Sequence, residues 1–174
     1  MSDEPVSEKE LSQILESGNW APTHGLTEPW RYNVYRGDSR KSLADGLASI
    51  YESVTPKAKF RQSKVEKLAT VPLKAPVCIV VWMKRQAIRK IPEIEEIGAV
   101  ACAIQNMHLT AAAMGLGAFW SSPSILYTDA MNEWLDIGSE DKCLGLFYIG
   151  RPREGLVWPS SQRSPIEDKT KWLG

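Results

Sequence analysis

The sequence lacks an excess of charge of either sign. Lysine plus arginine number 21 and aspartate plus glutamate also number 21, so the formal net charge is zero. Without a basic field the chain has little to attract nucleic acid or an anionic membrane, which argues against both as main partners. The longest apolar stretch, residues 97–114, is interrupted by Gln105, Asn106 and His108. That pattern is typical of a buried helix in a soluble protein rather than of a membrane span.

Cysteine is scarce as well. Cys78, Cys102 and Cys143 are odd in number, scattered, and set in apolar runs, so we expect buried free thiols in a reducing compartment rather than a disulfide framework. None has a cysteine or histidine neighbour at metal-ligand spacing, and we expect no metal site. The N-terminus is polar and acidic, without the pattern of a signal peptide, so a cytoplasmic location is expected.

Several nucleotide and hydrolase motifs are missing. The sequence has no Gly-x-Gly-x-x-Gly after a strand, no P-loop and no Gly-x-Ser-x-Gly elbow, so a Rossmann site, a phosphate-binding loop and that hydrolase type are unsupported. Only two histidines are present. His108 lies among apolar residues of a predicted helix, which favours a core or interface role. His24 lies in a loop between Pro22 and Pro29, where a ligand contact and a turn-stabilising hydrogen bond both remain open.

Hydrophobic periodicity predicts a single α+β domain over residues 1–174, with helices flanking a sheet. Ser7 and Glu10 match a capping box at the start of the first helix, and Gly18 is expected to end it. A long helix is predicted from Pro92 to Met114, with Gly115 as its stop. Strands are predicted at residues 30–35, 75–83, 117–120 and 142–149. Residues 57–70 are expected to form an exposed, mobile helical segment, and the unpatterned tail, residues 151–174, is expected to wrap a partner.

Several segments resemble one family, in the order in which that family has them. Residues 20–32, Trp-Ala-Pro-Thr-His-Gly-Leu-Thr-Glu-Pro-Trp-Arg-Tyr, resemble the loop "APxxxxxxPWxF" of nitroreductase-like flavoproteins of the short-chain subgroup. Lys-Ala-Pro at residues 74–76, Met-Gly-Leu-Gly at 114–117, Trp-Ser-Ser at 120–122 and the strand ending in Gly-Arg-Pro at 150–152 continue the match. The first loop is fairly specific, while the short glycine-containing pieces are weak on their own.

The resemblance implies a mostly antiparallel sheet flanked by helices, in an interlocked homodimer whose C-terminal tails reach the partner protomer. It implies two FMN molecules at the dimer interface. Trp20, Thr23 and His24 are then expected to contact the flavin from one protomer, and Trp120, Ser121 and Ser122 from the other. Arg163 is expected to bind the FMN phosphate, a role suited to a guanidinium. Small residues of the long helix, namely Gly98, Ala99, Ala101, Ala103 and Ala111 to Ala113, suit either helix pairing in the dimer or simple burial.

One family feature is missing from this sequence. Members usually carry Arg-Arg-Ser-x-Arg just before the segment that here begins at Asp3, and that motif supplies arginines for the phosphate. The FMN phosphate carries close to two negative charges, and Arg163 alone would compensate only part of them. We therefore expect the natural reading frame to continue upstream of Met1 with such a segment.

The activity implied by the resemblance is hydride transfer from NADH or NADPH through FMN to a small acceptor such as a nitroaromatic, a quinone or an activated alkene. The flavin carries the chemistry, so no catalytic side chain is required. A non-catalytic flavin-binding or flavin-sequestering protein is the alternative, and a cofactor-free dimeric module is a third interpretation.

Overall fold

The structure, a computed structural model, describes residues 1–2, 4–157 and 161–174. Four strands form one sheet in the order β1-β2-β4-β3, and each neighbouring pair is antiparallel. The strands are β1 Trp30–Arg36, β2 Val77–Met83, β3 Gly117–Ser121 and β4 Lys142–Gly150. The helices are α1 Glu8–Asn19, α2 Ser39–Val54, α3 Gln62–Thr70, α4 Glu93–Ala113 and α5 Asp129–Leu135. The predicted α+β class is confirmed, and the four predicted strands are found with ends that differ by at most two residues.

Helices cover both faces of the sheet. On one face α1 and α4 pack against buried residues of β2 and β4, including Ile79, Val81 and Phe147. On the other face α2 and α5 pack against Cys78, Val80 and Leu146. Alternate residues of β2 therefore enter two different cores, which is why that strand reads as a continuous apolar run. Within the described residues, no helix is long and apolar enough to cross a membrane.

The predicted end of α1 was wrong. The capping box forms, with the Ser7 hydroxyl accepting from the Glu10 amide and the Glu10 carboxylate accepting from the Ser7 amide. The helix then runs through Gly18 to Asn19. A Cβ at Gly18 would lie 2.7 Å from Tyr32 Oη and 3.0 Å from Met107 Cγ. Gly18 therefore allows α1 to approach β1 and α4 closely, and it is not a helix stop.

The expectation for the three cysteines needs one correction. Cys78 and Cys143 are buried, but Cys102 is exposed on the outer face of α4. The apolar run around Cys102 is helical, and an α-helix turns every third or fourth residue outwards even when most of its neighbours are buried. Gly115, by contrast, ends the helix region as expected, since its φ of 75° is a conformation that glycine adopts readily.

Candidate functional site

Trp20, Thr23 and His24 lie together, in the loop between α1 and β1. Trp20 follows α1 and is 79% exposed, with its indole Nε1 donating to Glu16 Oε1 at 2.8 Å. The Thr23 hydroxyl lies 3.0 Å from the Thr27 hydroxyl and accepts from the Glu28 amide, so it stabilises the loop. Leu26 and Glu28 both have positive φ. The loop thus presents an exposed indole and an exposed imidazole on a tightly turned backbone.

His24 has a partner that the sequence did not reveal. Its Nδ1 lies 2.6 Å from Glu95 Oε2 in the first turn of α4, and both side chains are about half exposed. A Cβ at Gly25 would lie 3.5 Å from Ile91 Cδ1, so the loop rests directly on the segment that leads into α4. From the sequence alone, Glu93, Glu95 and Glu96 of this turn indicate only a favourable interaction with the positive end of the helix dipole.

A buried ion pair holds this end of α4 in place. Arg85, just after β2, pairs with the buried Glu96 and also donates to the Ile91 carbonyl at 2.9 Å. The Arg85 amide donates to Asp141 Oδ1 at 2.8 Å. Breaking such a pair would leave an uncompensated buried charge, so the pair defines one arrangement of residues 85–96. It therefore positions Glu95, and through Glu95 the His24 side chain.

Trp120 lies at the opposite edge of the sheet, on strand β3. Its Nε1 donates to the Leu144 carbonyl at 3.1 Å and its side chain is 41% exposed. A Cβ at Gly145 would collide with the indole, so glycine at that position lets the ring lie across β4. Trp120 pairs with Phe147, which belongs to the α1 and α4 side of the sheet. The result is a fixed, partly exposed aromatic surface.

Ser121 and Ser122 face a different space. They line a pocket of about 340 Å³ between β3, α2 and α3. Its other lining residues include Tyr148, Lys64 and Lys67. Burial raises the pKa of the Tyr148 phenol, so this hydroxyl stays protonated and can donate a hydrogen bond. We call this space the α3 pocket.

Arg163 lies in the exposed tail. Its Nη1 donates to the neighbouring Gln162 carbonyl at 3.1 Å, and among the described residues no hydrogen bond or ion pair joins it to either group. Every described residue from 153 to the C-terminus is exposed, and Trp172 is 89% exposed. The other tryptophan of the tail, Trp158, lies outside the described residues.

Apart from Arg163, the predicted site residues therefore form two separate groups in one chain. The antiparallel register puts the start of β1, and the loop before it, at the same end of the sheet as the end of β3. The groups lie on opposite edges, however, with β2 and β4 between them. Three inter-strand spacings amount to roughly 14 Å, too far for one side chain to bridge.

Comparison with known proteins identifies the fold's relatives. The model of the nitroreductase family matches residues 1–151. The chain belongs to the nitroreductase family. Among curated proteins, the present chain is 28% identical over 145 residues to YdjA of Escherichia coli (strain K12), which is provisionally named an NAD(P)H nitroreductase. That match covers 83% of this chain and 77% of YdjA.

Two solved structures extend the comparison. A nitroreductase-like family protein from Bacillus cereus superimposes with a TM-score of 0.82 at 26% identity, covering 99% of this chain and 88% of that one. A provisionally named nitroreductase from Desulfovibrio desulfuricans, solved in complex with FMN, superimposes with a TM-score of 0.71 at 25% identity, covering 97% and 86%. The nitroreductase-like fold expected from the sequence is confirmed.

Proposed function

We propose that this chain is an FMN-dependent oxidoreductase that transfers hydride from NADH or NADPH to a small acceptor, such as a nitroaromatic, a quinone or an activated alkene. The observation that carries the proposal is that a chain of the nitroreductase family presents two separate groups of predicted flavin contacts. We call them the two half-sites: Trp20, Thr23 and His24 in the loop before β1, and Trp120, Ser121 and Ser122 at the end of β3. The FMN complex of the Desulfovibrio relative supports the choice of cofactor.

The residues present suit an FMN molecule. The α3 pocket, about 340 Å³, falls in the size range of small-ligand sites, roughly 300–1,000 Å³. Ser121 and Ser122 offer hydroxyl groups in this pocket, while Trp120, beside Phe147 on the other face of the sheet, offers a separate exposed aromatic surface. Bound FMN would supply the hydride-accepting and hydride-donating centre. The protein would align the ring, donate hydrogen bonds to it and exclude water around it.

We further propose that two protomers build each site, with Trp20, Thr23 and His24 from one and Trp120, Ser121 and Ser122 from the other. The distance between these groups within one chain supports this, because it leaves each group half of a site. The exposed tail, including Trp172, supports a role in covering the partner. Arg163 would reach the flavin phosphate only from such a docked tail.

The outer face of α4 supports helix pairing in the dimer. Its exposed residues follow helical spacing and carry no charge after the first turn; we call them the α4 stripe: Ile94, Gly98, Cys102, Gln105, Leu109 and Ala112. Of the small residues predicted to suit either pairing or burial, Ala99, Ala103 and Ala111 are buried in their own chain. Gly98, Ala112 and Ala113 are exposed and remain available for a partner helix.

Steady-state kinetics tests the proposed activity. The protein is reconstituted with FMN, and initial rates are measured at several concentrations of NADPH or NADH and of a quinone acceptor. A donor and an acceptor that occupy one site in turn give parallel lines in double-reciprocal plots. Intersecting lines would contradict alternate occupation of one site, and the absence of turnover with both donors and with nitroaromatic and quinone acceptors would favour a flavin-binding protein without catalysis.

A further inference from the structure

The α3 pocket contains two cationic side chains that the predicted site did not include. Lys64 and Lys67 are three residues apart on α3, so they project from the same side of the helix. Both lysines are exposed to solvent, and the pocket that they line is also lined by the hydroxyl-bearing Ser121, Ser122 and Ser124. The sequence offered no reason to select them, because α3 is polar, short and only weakly periodic.

The charge of these lysines is uncompensated locally. Within residues 1–2, 4–157 and 161–174, no carboxylate lies within 4 Å of either ammonium group. The six ion pairs of these residues involve arginines and His24, and none involves a lysine. The pocket has no aspartate or glutamate in its lining. An adjoining pocket, which shares Tyr51 and Lys64 with it, adds Lys59 and again no acid.

The lining of the pocket matches a phosphate monoester attached to a larger apolar group. Ammonium groups and serine hydroxyls are donors to phosphate oxygens, and the remaining wall is mostly apolar, with Leu47, Leu68 and Ile125. A solvated helix face explains exposed lysines in general. It does not explain why both lysines line a cavity that also contains the serines expected to border the flavin.

We propose that Lys64 and Lys67 bind the phosphate of FMN, and so supply cationic compensation from within the same protomer as Ser121 and Ser122. This inference rests on the proposed function, since it concerns the ligand of that same site. FMN carries about two negative charges at neutral pH, and a partly buried dianion needs several charge-assisted contacts. Arg163, in the exposed tail, would then be an addition to this cradle rather than its only cation.

The test compares FMN with riboflavin, which has the same ring and ribityl chain but no phosphate. Dissociation constants are measured by flavin fluorescence for the wild-type chain, the double variant Lys64→Gln/Lys67→Gln, and the control Lys57→Gln. Lys57 is an exposed lysine near α3 that lines neither pocket. We expect the double variant to bind FMN more weakly by a factor on the order of 10 to 100, with riboflavin binding unchanged. The control should leave both constants unchanged.

An arginine double variant and a salt series test whether the effect depends on charge, and thermal unfolding checks the fold. Lys64→Arg/Lys67→Arg should retain the preference for FMN over riboflavin, because the positive charge is kept. In the wild type the preference should fall as salt rises, since ionic contacts near the surface are screened. Thermal unfolding of the double variant without ligand should match the wild type, which shows that the fold is intact.

The outcomes separate this inference from the proposed function. An unchanged FMN constant in the double variant overturns the inference and leaves the proposed function standing. If the FMN constant is unchanged but NADPH binds more weakly, the inference is again overturned, and the lysines are assigned to the phosphates of the donor. An equal loss of FMN and riboflavin also overturns it, because the effect is then not on the phosphate. If the wild type binds neither flavin, both the inference and the proposed function are wrong.

Discussion

At the scale of single residues, His24 and Glu95 join the loop before β1 to the first turn of α4. Their side chains meet at 2.6 Å although they are 71 positions apart in the sequence. Both remain about half exposed, so the contact is well solvated and contributes little to stability, in the range of about 0–1 kcal/mol. The pair therefore fixes the orientation of an exposed imidazole more than it stabilises the fold.

Replacing His24 tests whether the loop serves the flavin. We expect His24→Ala to weaken FMN binding or slow hydride transfer, while the free energy of unfolding of the ligand-free protein changes by less than about 1 kcal/mol. Glu95→Gln keeps an acceptor for the imidazole and should have a smaller effect. Chemical denaturation and flavin titration measure the two quantities. A loss of several kcal/mol with unchanged FMN affinity would assign His24 to the loop alone.

Replacing Gly145 tests the position of Trp120. An alanine Cβ would collide with the indole and lie 3.2 Å from the Ser121 carbonyl oxygen. We expect Gly145→Ala to displace Trp120, cost about 1–3 kcal/mol in stability and weaken FMN binding. In the Trp120→Ala background the same substitution should cost clearly less. Equal costs in both backgrounds, measured by urea denaturation, would show that the indole is not what Gly145 accommodates.

At the scale of elements, the helices and strands with local signals were predicted well. The capping box of α1, the apolar run of β2 and the first turn of α4 all depend on residues close together in the sequence. Gly18 was misinterpreted because its reason lies outside the helix, in the approach of Tyr32 and Met107. The same limit applies to Lys64 and Lys67, since the pocket that gives them a role is built from distant segments.

The capping box has a pH dependence whose sign can be worked out. Hydrogen bonds from Ser7, first through its side chain and then through its backbone, lower the pKa of Glu10 below the ordinary value of 4.5. A carboxylate with a lowered folded-state pKa stabilises the protein above 4.5 and loses that contribution as the pH falls through the folded pKa. We expect Ser7→Ala to cost about 1 kcal/mol at neutral pH and less in acid. Urea denaturation at both pH values measures this, and an equal or larger cost in acid would contradict it.

α4 was predicted as a helix, but the side on which each of its small residues lies was not. Small residues of α4 lie on different faces of the helix. Ala103 is buried in the core, whereas Cys102 belongs to the exposed α4 stripe. Only the packing of α4 against α1 and the sheet decides which face is inner. This is why the sequence could not distinguish burial from pairing, and why Cys102 was wrongly expected to be buried.

The three thiols should report on that stripe. Burial raises the pKa of Cys78, and it raises the pKa of Cys143 to about 12, so neither should react with a thiol reagent near neutral pH. Cys102 should react quickly in any free protomer and slowly where the α4 stripe is covered by a second copy. Labelling followed by peptide mass analysis measures the rates at low and high protein concentration. A Cys102 rate that is fast at every concentration would contradict pairing through α4.

At the scale of the whole molecule, the two half-sites lie at opposite edges of a four-stranded sheet. The family resemblance assigned residues to each group, but it gave no distance between the groups within one chain. The register of the sheet supplies that distance, and it supports a site completed by a second protomer. The proposed dimer is therefore a requirement of the proposed chemistry as well as a way to cover apolar surface.

A charge in the α4 stripe tests that requirement. We expect Leu109→Asp to shift the protein towards monomers in sedimentation and to weaken FMN binding at the same time, because a charge buried between two helices is costly. Ile88→Asp, at a more exposed position outside the stripe, should change neither. A Leu109→Asp protein that is monomeric yet binds FMN as tightly as the wild type would refute the shared site.

The most direct test of the central claim is anaerobic reduction of the protein reconstituted with FMN, without any acceptor. On addition of NADH or NADPH, we expect the visible flavin absorption to be lost in one phase with saturable dependence on the donor, and to return when a quinone or nitroaromatic is added. A protein that binds FMN but keeps its absorption unchanged with both donors would contradict hydride transfer and leave a flavin-binding protein of the same fold.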